Sequence, residues 1–225
     1  MTIVEAIVFV VDDDVSVRES LELMIRFAGW HPELFESAQD FLARSRPEVP
    51  SCLVLDVNLP DLNGLDLQKL IADVRPEMPI IFLTGYGDIP LTVRAMKAGA
   101  VEFLSKPFDD ELLLRALTNA LELSRTMLAR EHALDTLRQD YGSLSLRERQ
   151  VLAMVVIGRL NKQIAAELAI SEITVKAHRG RVMHKMHARS VPDLVRMEAR
   201  LALVLPRQTE DLDARRDELG EPQPR

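Results

Sequence analysis

The sequence predicts an α/β domain with a parallel sheet, followed by an all-α domain that contains a helix-turn-helix. Three observations support this prediction. Short apolar runs alternate with helical stretches in the first part of the chain, a pattern typical of parallel strands buried on both faces. The second part contains helical stretches only. Acidic residues prevail in the first part and basic residues in the second, so we expect two domains with different partners.

Four apolar runs predict strands, because each is short and each ends in polar residues. The runs and the polar residues that close them are 6–11 with Asp12, Asp13 and Asp14; 51–55 with Asp56; 80–83 with Thr84; and 101–104 with Ser105 and Lys106. In open α/β sheets the functional site lies outside the carboxyl ends of the strands. The sequence therefore predicts acidic groups, a hydroxyl and an ammonium group at one edge of the sheet.

Helical spacing of apolar residues predicts the helices between these strands. The expected helices are 15–28, 37–44, 64–74, 90–98 and a last one that begins near Asp109. Gly29 and Gly99 supply stop signals. The four apolar runs account for four of the strands, and the alternation as a whole implies five strands and five helices. That order matches a flavodoxin-like doubly wound domain, (βα)5, which we expect over residues 1–124.

The predicted edge cluster has the composition of a phosphoryl-transfer site. Crowded carboxylates repel, which raises a pKa or recruits a cation. Oxygen ligands suit Mg2+, which takes one or two carboxylates beside a phosphate. Asp56 could accept a phosphoryl group as an acyl phosphate, and Lys106 and Thr84 could contact its oxygens. A lone strand-end aspartate is more often a helix N-cap, so the inference rests on the whole set.

The last helix of the first domain is expected to continue as a helical linker over residues 125–143. No Gly or Pro interrupts residues 112–139, and leucines recur along them. This linker is either an ordered single helix or a short two-stranded coil. Ser124 and Glu131 stand where a coil would place apolar residues, which favours the single helix.

Residues 144–207 predict a helical domain. Ser145 and Glu148 form a capping box ahead of a helix that stops at Gly158. Helices over 161–168 and 172–186 flank a break of three residues, and two helices joined by so short a turn indicate a helix-turn-helix.

Helical geometry divides the second of these helices into two sides. Val175, Val182 and Met186 lie on one stripe and should pack inward. Ile173, Lys176, Ala177, Gly180 and His184 fall roughly opposite, with Arg181 beside them. Small residues mixed with cations allow close approach to a major groove. A solvated basic face is the simpler alternative.

Charge is divided unequally along the chain. Residues 1–124 carry a net charge of −11, and residues 144–207 carry +7. A basic segment joined to an acidic one indicates a polyanion partner for the basic part.

Cys52 is the single cysteine, so an intrachain disulfide is excluded. No stretch reaches the ~20 apolar residues of a membrane span, and we expect a cytoplasmic protein without membrane contact. The polar tail over 208–225 is expected to be disordered.

Residues 3–124 resemble the receiver domain of bacterial two-component response regulators. The matching motifs are Val-Val-Asp-Asp-Asp at 10–14, Leu-Asp-Val-Asn-Leu-Pro at 55–60 with Gly64, Thr-Gly-Tyr-Gly-Asp at 84–88, Met-Lys-Ala-Gly-Ala at 96–100 and Phe-Leu-Ser-Lys-Pro-Phe at 103–108. The resemblance implies that Asp56 is the phosphoacceptor and that Thr84 and Lys106 assist catalysis. It also implies a switch pair formed by Thr84 and Phe103. The Mg2+ ligands that it implies are Asp12, Asp13, Asp56 and the main-chain carbonyl of Asn58.

Residues 144 to about 203 resemble the DNA-binding domain of the LuxR/FixJ class. The matching motifs are Leu-Arg-Glu-Arg-Gln-Val-Leu at 146–152, Asn-Lys-Gln-Ile-Ala at 161–165, Ile-Ser-Glu-Ile-Thr-Val-Lys-Ala-His-Arg at 170–179 and Lys-Met at 185–186. The resemblance makes 172–186 the recognition helix and 192–203 a dimer contact. It implies base-facing positions at Lys176, Ala177 and Gly180. The implied phosphate contacts are Lys162, Thr174, Arg179 and Arg181.

Together the two resemblances imply a transcriptional response regulator of the FixJ type, which is not an enzyme in its own right. Its implied partners are a histidine kinase, promoter DNA, a second copy of the chain and RNA polymerase. Phosphorylation would act by dimerising the receiver or by releasing an inhibited DNA-binding domain. Three alternatives remain: a hydrolase that forms an aspartyl phosphate, a constitutive DNA-binding protein with an inert receiver, and a zinc site at His184 and His187.

Overall fold

The computed structural model describes residues 6–45, 47–85 and 89–202. These residues form two compact units, divided between Glu131 and His132. The first unit is α/β and the second is all-α, as the sequence predicts. The expected disordered tail at 208–225 lies outside the described residues. Within the described ranges, no helix is both long enough and apolar enough to span a membrane.

One parallel sheet forms the centre of the first unit. Its strands are β1 (Ile7–Val11), β2 (His31–Phe35), β3 (Ser51–Asp56), β4 (Ile80–Thr84) and β5 (Glu102–Ser105). Their order is β2-β1-β3-β4-β5. The register pairs Val11 with Leu55, Asp56 with Leu83 and Thr84 with Ser105. The strands therefore end level with one another, and the polar residues that follow them meet at one edge.

Burial of the strands agrees with the sequence prediction at the centre of the sheet and differs at its border. Every residue of β1, β3 and β4 is buried. The prediction that all four apolar runs are buried on both faces is wrong for β5, where Glu102 and Ser105 are exposed and Phe103 and Leu104 are half-buried. The reason is topological, because β5 has a neighbouring strand on one side only.

Five helices belong to the sheet's connections. They are α1 (Val15–Phe27), α2 (Ala38–Ala43), α3 (Gly64–Val74), α4 (Ile89–Lys97) and α5 (Asp110–Gly142). Asp14 caps α1 by accepting the main-chain N–H of Ser16 at 2.8 Å. Asp61, in the loop after β3, accepts the N–H groups of Ala38 and Gln39 at the start of α2. The loop that follows Asp56 is thereby tied to a second helix.

Gly64 allows α3 to begin directly against β3. A Cβ atom at this position would lie 2.6 Å from the main-chain oxygen of Asp56 and 3.1 Å from the Cα of Val57. The N–H of Gly64 donates to the main-chain oxygen of Val57 at 3.0 Å. Glycine is needed here for close approach of two backbone segments.

Helix α5 extends through the segment that the sequence assigns to a linker. Leu117 and Leu121 pack in the core of the first unit, whereas Leu137 packs in the core of the second. Ser124 is fully buried, and its Oγ accepts the main-chain N–H of Ser51 at 3.1 Å. Ser124 thus provides a hydrogen-bond acceptor for the main-chain N–H of the first residue of β3. This explains why a polar residue stands among the recurring leucines of α5. Leu137 therefore contributes to the second core from within the predicted linker.

The second unit packs four more helices around one apolar core. They are α6 (Leu146–Val156), α7 (Asn161–Leu168), α8 (Glu172–Lys185) and α9 (Val191–Ala202). The predicted capping box of α6 is present, with both of its hydrogen bonds between Ser145 and Glu148. Ala169 adopts a left-handed conformation with φ of 53°, which turns the chain between α7 and α8. Val175, Val182 and Met186 are buried in the core, as predicted.

Gly64→Ala should lower the free energy of unfolding of the first unit by about 1–3 kcal/mol, the usual cost of forcing atoms into a packed site. The added methyl group would displace α3 from the carbonyl group of Asp56. Urea denaturation of the full chain measures the change. Gly142→Ala is the matched control, because a Cβ atom there would meet nothing within 4 Å. Equal stability of the two variants would contradict this role of Gly64.

Candidate functional site

Two buried carboxylates and one ammonium group form the centre of the edge cluster. Asp12 is 1% exposed and Asp56 is 6% exposed. The Nζ atom of Lys106 lies 2.6 Å from Oδ2 of Asp12 and 2.9 Å from Oδ1 of Asp56. The cation therefore bridges two carboxylates that would otherwise repel each other.

The second oxygen of each carboxylate accepts a main-chain N–H group. Oδ1 of Asp12 accepts from Asp14 at 3.0 Å, and Oδ2 of Asp56 accepts from Asn58 at 2.7 Å. On the main chain of Asp12, the carbonyl oxygen accepts from Nη1 of Arg18 at 2.6 Å. These bonds fix the orientation of both carboxylates before any ligand is bound.

Burial and charge act in opposite directions on the groups of this cluster. Burial raises the pKa of Asp12, against the lowering effect of its hydrogen bond with Lys106. For Lys106, burial alone would lower the pKa, but its hydrogen bonds with Asp12 and Asp56 outweigh it and hold the pKa above the ordinary value. Lys106 therefore carries a full positive charge at neutral pH.

The two residues of the expected switch lie on neighbouring strands. Thr84 is fully buried at the end of β4, and its carbonyl oxygen accepts the main-chain N–H of Lys106 at 2.6 Å. Phe103 is half-buried on β5. Its ring lies 6.1 Å from that of Phe82, measured between centroids. The Phe103 side chain is therefore neither fully exposed to solvent nor fully buried in the core.

The oxygen donors at this edge fit a hard cation. Asp12 and Asp56 offer carboxylate oxygens, and Mg2+ needs only one or two of these because it keeps several waters. Asp13, the remaining predicted acidic ligand, is exposed. Within the described ranges, no three His, Cys, Asp or Glu side chains converge as a metal site. Mg2+ completes its coordination with water and main-chain oxygens, and the use of the Asn58 carbonyl stays a prediction.

The predicted DNA contacts fall into two groups in the second unit. Five of the seven are exposed, namely Lys162, Lys176, Ala177, Gly180 and Arg181. Thr174 and Arg179 are half-buried and have partners within the unit. The Thr174 hydroxyl lies 2.8 Å from that of Ser171, at the start of α8.

Arg179 joins the two helices of the helix-turn-helix. Its Nη1 donates to Oδ1 of Asn161, the first residue of α7, at 2.6 Å. This contact gives Arg179 a structural role beside the predicted phosphate contact. Sequence reasoning did not find Asn161, because its partner is 18 residues away and no local motif connects them.

A second internal ion pair connects α6 with α8. Nζ of Lys185 lies 2.8 Å from a carboxylate oxygen of Glu148 and donates to the carbonyl oxygen of Ser143 at 3.0 Å. The hydrogen bond with Lys185 and the main-chain N–H of Ser145 lower the pKa of Glu148 to about 2. The capping box is visible in the sequence, but the contact between its glutamate and Lys185 is not.

Family comparisons agree with this division into two units. Residues 8–118 match the family described as "Response regulator receiver domain". Residues 142–198 match the family described as "Bacterial regulatory proteins, luxR family".

Similar proteins cover nearly the whole chain. "Nodulation protein W" of Bradyrhizobium diazoefficiens is 51% identical over 199 residues, which are 88% of this chain and 88% of that protein. "Transcriptional regulatory protein FixJ" of Rhizobium meliloti is 43% identical over 84% of this chain and 93% of that protein. Among solved structures, "Response Regulator StyR" has a TM-score of 0.79 at 47% identity, covering 87% of this chain and 98% of that one.

Glu148→Gln should weaken the second unit by about 1 kcal/mol at neutral pH. Glutamine keeps the capping bond but loses the charge that binds Lys185, which is one-third exposed and partly screened by water. Because the folded pKa of Glu148 lies below its ordinary value of 4.5, the contribution of this pair is present above that pH. It is lost as the pH falls towards the folded pKa.

Urea denaturation of the full chain at several pH values measures this difference. The gap between the wild type and Glu148→Gln should shrink as the pH falls from about 4.5 towards 2. Glu198→Gln, at an exposed glutamate in the interior of α9, should show no such gap. A gap for Glu148→Gln that stays constant with pH would contradict the ion-pair assignment.

Proposed function

Since the chain belongs to the response regulators that join a receiver domain to a LuxR-family DNA-binding domain, we propose that phosphorylation of Asp56 controls its binding to DNA. The observation that supports Asp56 as the phosphorylated residue is its contact with Lys106 at the carboxyl edge of the sheet, where Nζ of Lys106 lies 2.9 Å from Oδ1 of Asp56. A receiver domain implies a histidine kinase as phosphoryl donor, and the LuxR-family domain implies DNA as the partner.

Phosphoryl transfer to Asp56 needs a nucleophile, charge balance and a fixed geometry. A carboxylate oxygen of Asp56 forms a bond to phosphorus while the bond from phosphorus to the donor nitrogen breaks, and the electron pair of that bond stays on the donor histidine. The new acyl phosphate carries more negative charge than the carboxylate it replaces. Lys106 is already in position to offset this charge, and Thr84 supplies a hydroxyl group at the neighbouring strand end.

We also propose Mg2+ as the cofactor of this site. Its ligands would be Asp12, Asp13, Asp56 and the main-chain carbonyl of Asn58. When bound, the cation offsets negative charge on the phosphoryl oxygens. The hydrogen bonds of the Asp12 carboxylate with the N–H of Asp14 and with Lys106 fix its orientation, which supports this role.

Thr84 and Phe103 form the proposed switch. In this proposal the Thr84 hydroxyl moves towards the phosphoryl oxygens, and Phe103 turns inward behind it. The half-buried state of Phe103 is compatible with this role, because the ring packs against the border of the core without being enclosed by it. The surface formed by α4 and β5 would then change and favour a receiver dimer. Release of an inhibited DNA-binding domain is the alternative route, and either needs a coupling of only ~1–3 kcal/mol.

The second unit would bind promoter DNA through α8. We propose that Lys176, Ala177 and Gly180 face bases and that Lys162 and Arg181 contact phosphates, with Thr174 and Arg179 contributing at the edge of this surface. A dimer would place two recognition helices about one DNA turn apart.

RNA polymerase is the proposed further partner at the promoter. Because bacterial promoter DNA lies in the cytoplasm, the protein would act there. Any turnover would be limited to transfer and loss of its own phosphoryl group.

Incubation with acetyl phosphate and Mg2+ should add one phosphoryl group to the wild type and none to Asp56→Asn. Native mass spectrometry detects the adduct and, in the same spectrum, a shift from monomer to dimer. Asp66→Asn is the matched control, because Asp66 is an exposed aspartate of α3 and should leave the adduct unchanged. An Asp56→Asn protein that still forms the adduct and the dimer would contradict the assignment. An adduct without a dimer would favour release of inhibition.

Lys162→Ala should reduce the salt dependence of DNA binding. Each phosphate contact contributes about 0.9 to the slope of log affinity against log salt concentration, so the slope should fall by about that amount. Fluorescence anisotropy with a labelled duplex measures it. Lys69→Ala, the same change at an exposed lysine of the first unit, should leave the slope as it is. Equal slopes for the two variants would exclude a phosphate contact at Lys162.

A further inference from the structure

One large apolar side chain on α8 has no place in the core of its unit. Ile173 lies in the first turn of the helix and is 79% exposed. The buried residues of α8 lie on the other side, at Val175 and Val182. With 3.6 residues per turn, Ile173 points almost directly away from that core. Packing of the folded unit therefore does not account for an isoleucine at this position.

Two small residues follow Ile173 on the same side. Ala177 and Gly180 come four and seven positions later, and both are exposed. Glycine destabilises a helix interior relative to alanine, yet a Cβ atom at Gly180 would meet nothing within 4 Å. The fold does not require glycine here, whereas a partner that lies close to the helix would benefit from it.

Charge at this surface indicates which partner Ile173 meets. Lys176 and Arg181 are exposed and flank the side that carries Ile173. Residues 144–207 have a net charge of +7, which attracts a polyanion. On duplex DNA, the apolar group offered in the major groove is the C5 methyl of thymine. The first turns of a recognition helix are also the part that contacts base edges.

We propose that Ile173 recognises a thymine through contact between its side chain and the C5 methyl group of that base. The inference rests on the proposed role of α8 in DNA binding and adds a specificity determinant to it. Ala177 and Gly180 would permit the approach, and Lys176 and Arg181 would hold the helix in the groove. Because Ile173 has no polar side-chain atoms, its discrimination would depend on the methyl group and not on a hydrogen bond.

Single-methyl substitution of the DNA tests this proposal. Duplexes are first selected from a random library by the full chain phosphorylated with acetyl phosphate. Each thymine of a selected duplex is then replaced in turn by deoxyuracil, which removes only the C5 methyl. For the wild type, at least one replacement should weaken binding about fourfold, the loss expected for one buried methyl group.

The protein variants assign that methyl group to Ile173. Ile173→Ala should bind the thymine duplex about as weakly as the wild type binds the deoxyuracil duplex, with no further loss on removal of the methyl group. Ile173→Val should keep part of the sensitivity. Leu146→Ala, which truncates another exposed side chain of the same unit (75% exposed), should behave like the wild type on both duplexes.

Two results would overturn the proposal, and they differ from a failure of DNA binding itself. Wild-type affinity that no deoxyuracil replacement changes would exclude a methyl contact. An equal loss at the same thymine in the wild type and in Ile173→Ala would assign the contact to another residue. If the phosphorylated chain selects no duplex at all, the proposed role of α8 fails, and the inference about Ile173 fails with it.

Discussion

Two carboxylates cannot be buried side by side as anions unless a cation stands between them. Asp12 and Asp56 meet this condition through Lys106, whose ammonium group contacts both. Removal of the lysine charge would leave two buried anions opposed, and removal of Asp56 would leave the ammonium group with one partner. The charge balance at this edge is therefore a property of three residues from three strand ends, Asp12, Asp56 and Lys106.

The backbone brings these three residues together. The parallel pairing aligns the ends of β3, β4 and β5. The hydrogen bond from the main-chain N–H of Lys106 to the carbonyl oxygen of Thr84 continues this register past the end of β5. Gly64 adds a steric condition, because only glycine lets α3 begin against the carbonyl of Asp56. The apolar cores on the two faces of the sheet supply the stability that keeps this set of charged groups in place.

Much of this architecture could be predicted from the sequence because the signals are local. Apolar runs, caps and glycine stops predicted the bounds of α1 to α8 within one residue of those observed, and the strand ends predicted the meeting of Asp12, Asp56 and Lys106. Exposure of β5 and the roles of Ser124, Asn161 and Lys185 could not be predicted in this way. The exposure of β5 follows from the order of the strands in the sheet, which leaves β5 at an edge. The other three roles depend on partners distant in sequence: the N–H of Ser51 for Ser124, Arg179 for Asn161 and Glu148 for Lys185.

The position of the acyl phosphate in the unmutated protein is the most direct test of the account. Borohydride reduces an aspartyl phosphate to homoserine, and peptide mass spectrometry then locates the modified residue. After phosphorylation with acetyl phosphate and Mg2+, homoserine should appear at Asp56 and at no other aspartate. Homoserine at Asp12 or Asp13, or at Asp56 and these residues alike, would contradict the view that Lys106 and the strand register single out Asp56 as the acceptor.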